Sequence, residues 1–214
     1  MTQDPDREKW NEFDWELELR KDDARVNAYA ADLPKYIDLP DEDGLIMNRM
    51  RRRPDLAPAG GDWTKLGPVP YERDEEDDEE DFRQESNWKK TPCAPVYRTT
   101  SRLVRDWCAF YASSGETALL VPTMRILCSY GKILARSGDL IDMALDPEDP
   151  PTSRPLKIAL CKRLLSDVNA LMGELFKLHA FSPETERKCL EHEDALTRLH
   201  DLLLDVLSTL RAGS

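Results

Sequence analysis

Cys189, His192 and Glu193 fall within one turn of a helical segment, and His179 lies ten residues before Cys189. Thiolate, imidazole and carboxylate are the ligand types that zinc takes, and a spacing of three to four residues puts them on one helix face. These four are the candidate metal ligands. The pattern is a weak one, because di-metal helical bundles use Glu-x-x-His pairs and the chain contains none. The competing reading is that the histidines cap helices or sit at the surface. No cofactor is expected. No glycine-rich phosphate loop, Gly-x-Ser-x-Gly elbow, His-Glu-x-x-His pair or dinucleotide fingerprint occurs. No catalytic residue is therefore assigned, and the chain reads as a non-enzyme.

A second chemistry is carried by charge. Residues 1–97 hold 26 Asp and Glu against 15 Lys and Arg, whereas residues 98–214 hold 16 against 15. The excess peaks in an unbroken charged run, Glu72, Arg73, Asp74, Glu75, Glu76, Asp77, Asp78, Glu79, Glu80 and Asp81. Such a run attracts a basic surface from a distance and repels nucleic acid and anionic lipid. Phe82 follows it directly, and Trp63 and Trp88 flank it. Acidic segments without structure are poor in aromatics, and Trp anchors protein interfaces. Trp63, Phe82, Trp88 and the nine carboxylates of the run are the candidate partner-binding residues. Arg49, Arg51, Arg52 and Arg53 form a small basic island whose expected partners are the chain's own carboxylates.

The elements that must position these residues are helices. Residues 6–33 follow a near-heptad course through Trp15, Leu19, Val26, Tyr29 and Leu33, and Pro34 should end that helix. A short helix over 41–53 should follow, capped by Asp41. Residues 54–97 contain six of the fifteen prolines and no apolar periodicity, so they read as an acidic, partly disordered linker, most mobile over 68–90.

From residue 98 onward, four helices are expected. The first covers 101–113, with Leu103, Val104, Trp107, Cys108 and Tyr111 inward. The second covers 116–145, with Pro122 either kinking it or standing in its first turn. Its inward seam reads Leu120, Met124, Leu127, Gly131, Leu134, Gly138 and Ile141, and the two glycines imply a close helix contact. The third covers 155–180. The fourth opens with Ser182-Pro183-Glu184 and turns Leu190, Leu196, Leu199, Leu203, Val206 and Leu210 inward.

The fold class is thus all-α: an antiparallel four-helix bundle over 98–214, preceded by an N-terminal helical arm over 1–53 and the linker over 54–97. The bundle, from 99 on, should fold alone. The five cysteines contain no Cys-x-x-Cys pair and read as small buried thiols in a reducing compartment. No apolar h-region opens the chain and no unbroken apolar run reaches membrane length, so the expected location is cytoplasmic. Function reads as an interaction module, an adaptor or regulator, whose acidic arm engages a protein with a basic surface. Direct nucleic-acid or membrane binding is not expected, and the pattern leaves room for a homo-oligomer. Two other readings stand beside it: an acidic mimic of nucleic acid, and a helical-bundle metal protein or enzyme.

Overall fold

The computed structural model describes residues 9–36, 39–58, 87–146 and 153–212. The chain divides into two compact units, Met1–Glu75 and Glu76–Ser214.

The first unit is a helical hairpin of α1 (Glu12–Tyr36) and α2 (Glu42–Arg51), closed by a 3-10 turn over Pro54–Leu56. Ile46, Met50 and Leu56 form its small core, with Tyr29, Leu33, Tyr36 and Met47 packed against them. Buried among the polar groups is Arg25, at 6% exposure. Its Nε donates to the Leu56 carbonyl at 2.9 Å, and its other nitrogens pair with Asp22 and Glu18. That guanidinium fastens α1 to the 3-10 turn.

Three expectations for this unit are corrected. α1 runs two residues past Pro34, because proline in the last turn removes one backbone donor without forcing the chain to leave the helix. Val26 is 54% exposed, and its neighbour Arg25 takes the inward place. Asp41 does precede α2, but in the left-handed conformation (φ 59°), and its side chain makes no capping hydrogen bond.

The second unit is an all-α antiparallel four-helix bundle of α3 (Ala94–Ser114), α4 (Leu120–Leu145), α5 (Arg154–Phe176) and α6 (Pro183–Ala212). Sequence neighbours pack in order, and α3 closes the bundle against α6. Trp107, Tyr130, Ile133, Leu164, Leu171 and Leu196 are fully buried at its centre. α3 begins seven residues earlier than expected, because Pro95 stands in its first turn, where a missing N–H costs nothing. It ends at Gly115, whose φ of 63° lets the chain turn out of the helix. Pro122 likewise sits in the first turn of α4 and introduces no break. Ser182 caps α6 as its sequence implies, its Oγ accepting the Thr185 N–H at 3.1 Å.

The inward face of α4 is the largest departure. The observed seam is Leu119, Thr123, Ile126, Tyr130, Ile133, Ser137 and Leu140. Each of these stands one residue before an expected seam member, a rotation of about 100° over most of the helix, while Ile141 is fully buried as expected. Both faces carry apolar residues, and the buried one includes two hydroxyls and a phenol that apolar periodicity assigns to solvent. Gly131 and Gly138 consequently meet open space: a Cβ at either would have no neighbour within 4 Å. The same shift exposes Leu120, Val121 and Met124, at 46%, 60% and 47%. On α6, Leu190 is 50% exposed, and Cys189, His192 and Leu207 are buried instead. Cys108 and Cys128 are exposed, while Cys93, Cys161 and Cys189 are buried, and all five are free thiols.

Candidate functional site

Two features of the bundle stand out from ordinary packing. One is a line of hydrogen bonds through three helices. The Tyr130 hydroxyl on α4 lies 2.6 Å from Nδ1 of His192 on α6. His192 Nε2 lies 2.9 Å from an Asp106 carboxylate oxygen on α3, and Lys188 Nζ reaches that same oxygen at 2.6 Å. Tyr130 is 0% and His192 1% exposed, and the Trp107 ring packs edge-on to the imidazole with centroids 5.3 Å apart.

Donor and acceptor roles follow from the geometry. A carboxylate only accepts, so Nε2 carries a proton toward Asp106; Nδ1 of the neutral ring then accepts from Tyr130. Burial pulls the His192 pKa below its ordinary 6.5 and outweighs the opposing pull of Asp106. At Asp106, burial works against ionisation, but hydrogen bonds from Lys188 and His192 prevail and lower its pKa. At Lys188, burial is likewise overcome by Asp106 and Glu191, and its pKa is raised. Burial also raises the Tyr130 pKa, so the phenol keeps its proton. The chain therefore rests as Lys⁺–Asp⁻–His⁰–Tyr-OH, with each buried polar atom satisfied.

The candidate metal ligands are spread across separate contacts. His179 Nε2 pairs with Glu193 at 2.9 Å, His192 is held by Tyr130 and Asp106, and Cys189 is a buried thiol whose pKa burial pushes up to about 12. Among the described residues, no three His, Cys, Asp or Glu side chains gather as a metal site would require. Sequence spacing placed His192 on the right helix but missed its partners, since Tyr130 and Asp106 lie 62 and 86 residues away.

The second feature is an open groove of about 720 Å³ between α4 and α5. Leu120, Val121, Met124 and Cys128 from α4 and Ala170 from α5 form its apolar floor; Arg125 and Glu174 are its charged rims. Thr117–Leu145 is long and apolar enough to cross a membrane by length and composition, with mean hydropathy 1.3, yet only 28% of that window is buried in the bundle. Its apolar residues do not form an unbroken run, because Thr, Ser and Tyr and the charged Arg125 and Lys132 interrupt them.

Of the candidate partner-binding residues, Trp63, Glu72, Asp74, Glu75, Glu76, Asp77, Asp78, Glu79, Glu80, Asp81 and Phe82 lie outside the described residues. Much of the linker expected to be mobile does too. Trp88 is described: it is half-buried and packs edge-on to Tyr97, with ring centroids 5.4 Å apart. The arginine island is partly engaged as expected, with Arg49 bonded to Asp32 at 3.3 Å and Arg53 to Asp55 at 2.7 Å. No family model, curated protein or solved structure matches this chain.

Proposed function

We propose that this protein is a non-enzymatic interaction module, an adaptor or regulator. The observation that carries the reading is the outward face of α4, where Leu120, Val121 and Met124 stand side by side in solvent at 46–60% exposure. A contiguous apolar patch rimmed by polar groups on a soluble surface marks a docking site. The Tyr130–His192 pair supports the same reading, because its polar atoms are committed to one another and closed off from solvent.

The acidic run at 72–81 supports an interaction role independently of this face. Charge of that density accelerates encounter with a basic surface, and apolar contacts then hold the complex. The partner is accordingly a protein with a basic surface and an apolar ridge. Affinity capture with the full chain tests the reading, beside Val121→Asp and a variant with the carboxylates of 72–81 changed to Ser and Asn. Loss of the captured protein in the first variant and slower, salt-insensitive association in the second are expected. Unchanged capture by both variants would remove the reading. Displacement of the partner by DNA or RNA would favour the nucleic-acid mimic instead.

A further inference from the structure

The outer face of α3 is cationic in a chain of net charge −12. Arg98, Arg102 and Arg105 stand at i, i+4 and i+7, so they share one side of the helix over about 10 Å. We infer that this face is a docking surface within the chain, and that its occupant is the chain's own run of carboxylates at 76–81. The inference concerns a contact inside one chain and goes beyond the interaction-module reading.

All three arginines are exposed. Among the described residues, Arg98 and Arg102 have no ion-pair or hydrogen-bond partner, and Arg105 donates only to the Ser101 carbonyl at 3.3 Å. The one carboxylate of α3, Asp106, is taken by Lys188 and His192. The helix dipole does not account for the stripe either, since it favours cations in the last turn and α3 has none there.

The chain that leads into α3 carries the complementary charge. Trp88 packs edge-on to Tyr97, the residue before Arg98, with ring centroids 5.4 Å apart. That contact holds the chain beside the start of the stripe. Asp81 and Trp88 are seven residues apart, a span of at most about 25 Å, so the run is within reach of all three arginines. Glu76, Asp77, Asp78, Glu79, Glu80 and Asp81 lie outside the described residues, and they belong to the same compact unit as α3. A tether this short gives an effective concentration on the order of millimolar. An acidic partner from outside would have to approach a chain of net charge −12, which favours the tethered run as occupant.

Nuclear magnetic resonance of the spin-labelled full chain tests this. Cys108 is exposed one turn beyond Arg105, and Cys128→Ser leaves it as the one exposed thiol for the label. Broadening of the amide signals of 76–81 is expected at low salt. It should vanish at about 1 M salt, where the Debye length is about 3 Å. It should vanish as well when Arg98→Gln, Arg102→Gln and Arg105→Gln are combined, with circular dichroism showing that the fold is kept. A mixture of spin-labelled chains and separate isotope-labelled chains should show no broadening. Three results would each overturn the inference: no broadening in the singly labelled chain, broadening that survives salt or the three substitutions, or broadening in the mixture, which would place the run on a second copy. None of them touches the interaction-module reading, which stands or falls by affinity capture.

Discussion

The Tyr130 hydroxyl and the His192 imidazole meet 2.6 Å apart in the middle of the bundle, and neither is open to solvent. Together with Asp106 they bolt α4, α6 and α3 to one another through a directional contact rather than by apolar packing alone. Tyr130→Phe removes the donor and strands a buried Nδ1. A buried acceptor left without a partner costs about 1–3 kcal/mol. Chemical denaturation of the variant should show that loss, with the far-UV spectrum retained.

Acid should weaken the same contact. His192 is surrounded by Tyr130 on α4, Asp106 on α3, and Lys188, Glu191 and Cys189 on its own helix, and its folded pKa lies below 6.5. Between that folded value and 6.5 the unfolded chain binds more protons than the folded one, so stability present above 6.5 declines as pH falls. Asp106, also lowered, adds a further loss only below its ordinary 3.8. Melting temperature followed from pH 8 downward should begin to fall near 6.5. His192→Gln should be less stable throughout and should lose that portion of the slope.

The two glycines of α4 offer stabilisation. Gly131 and Gly138 lie in a helix interior with open space where a methyl would go. Alanine there gains helix propensity of about 0.5–1 kcal/mol per site and meets no obstacle. Thermal melts of Gly131→Ala and Gly138→Ala should both shift upward; a downward shift in either would mean that face is occupied in the isolated protein.

Arg136 of α4 and Asp167 of α5 form a direct ion pair in which each side chain is only 11% exposed. Removing the Asp167 carboxylate takes a charge-assisted contact from a poorly solvated place, which costs about 1.5–3 kcal/mol. Asp167→Ala should therefore be among the most damaging single substitutions in the bundle. Replacing both residues with apolar ones of similar size should restore much of the loss, as a double-mutant denaturation series would show.

Two buried hydroxyls predict the opposite sign. Thr100 and Thr123 are 0% and 1% exposed, and neither Oγ has a hydrogen-bond partner among the described residues. Valine keeps the shape and removes the unsatisfied oxygen, whose burial costs about 1–3 kcal/mol. Thr100→Val and Thr123→Val should each be neutral or stabilising in urea titrations.

Sequence periodicity suffices for the helical class and the bundle because α3, α5 and α6 keep most of their Leu and Trp on one stripe, as Leu103–Trp107 and Leu196–Leu199–Leu203 illustrate. It fails on α4 for a definite reason. With Leu120, Met124 and Leu127 on one side and Ile126, Ile133 and Leu140 on the other, apolar content does not choose a face. The choice is made by Tyr130 and Ser137, which look polar in sequence but are buried, their hydroxyls bonded to His192 Nδ1 and the Leu134 carbonyl. The Tyr130–His192–Asp106 line was illegible for a related cause: it joins residues on three helices, and only their tertiary arrangement brings them together. Arg25 is a further instance, a charged residue on α1 that reads as solvent-facing until the Leu56 carbonyl is seen beside it.

The five thiols divide the bundle's surface from its interior in a way chemistry can time. Cys108 and Cys128 lie open to reagents, while burial pushes Cys93 up to about 11 and Cys161 and Cys189 up to about 12. The first two are accessible to an alkylating reagent in the folded protein. The other three can react only when their surroundings part, so each becomes a clock for a different opening. Cys161, whose Sγ–H points to the Leu203 carbonyl at 3.4 Å, times the separation of α5 from α6. Cys93 times release of the turn at the start of α3, and Cys189 the loosening of α6 beside His192. Mass spectrometry of partly alkylated protein would rank these three events, so that the order in which the bundle comes apart is written in its own sulfur chemistry.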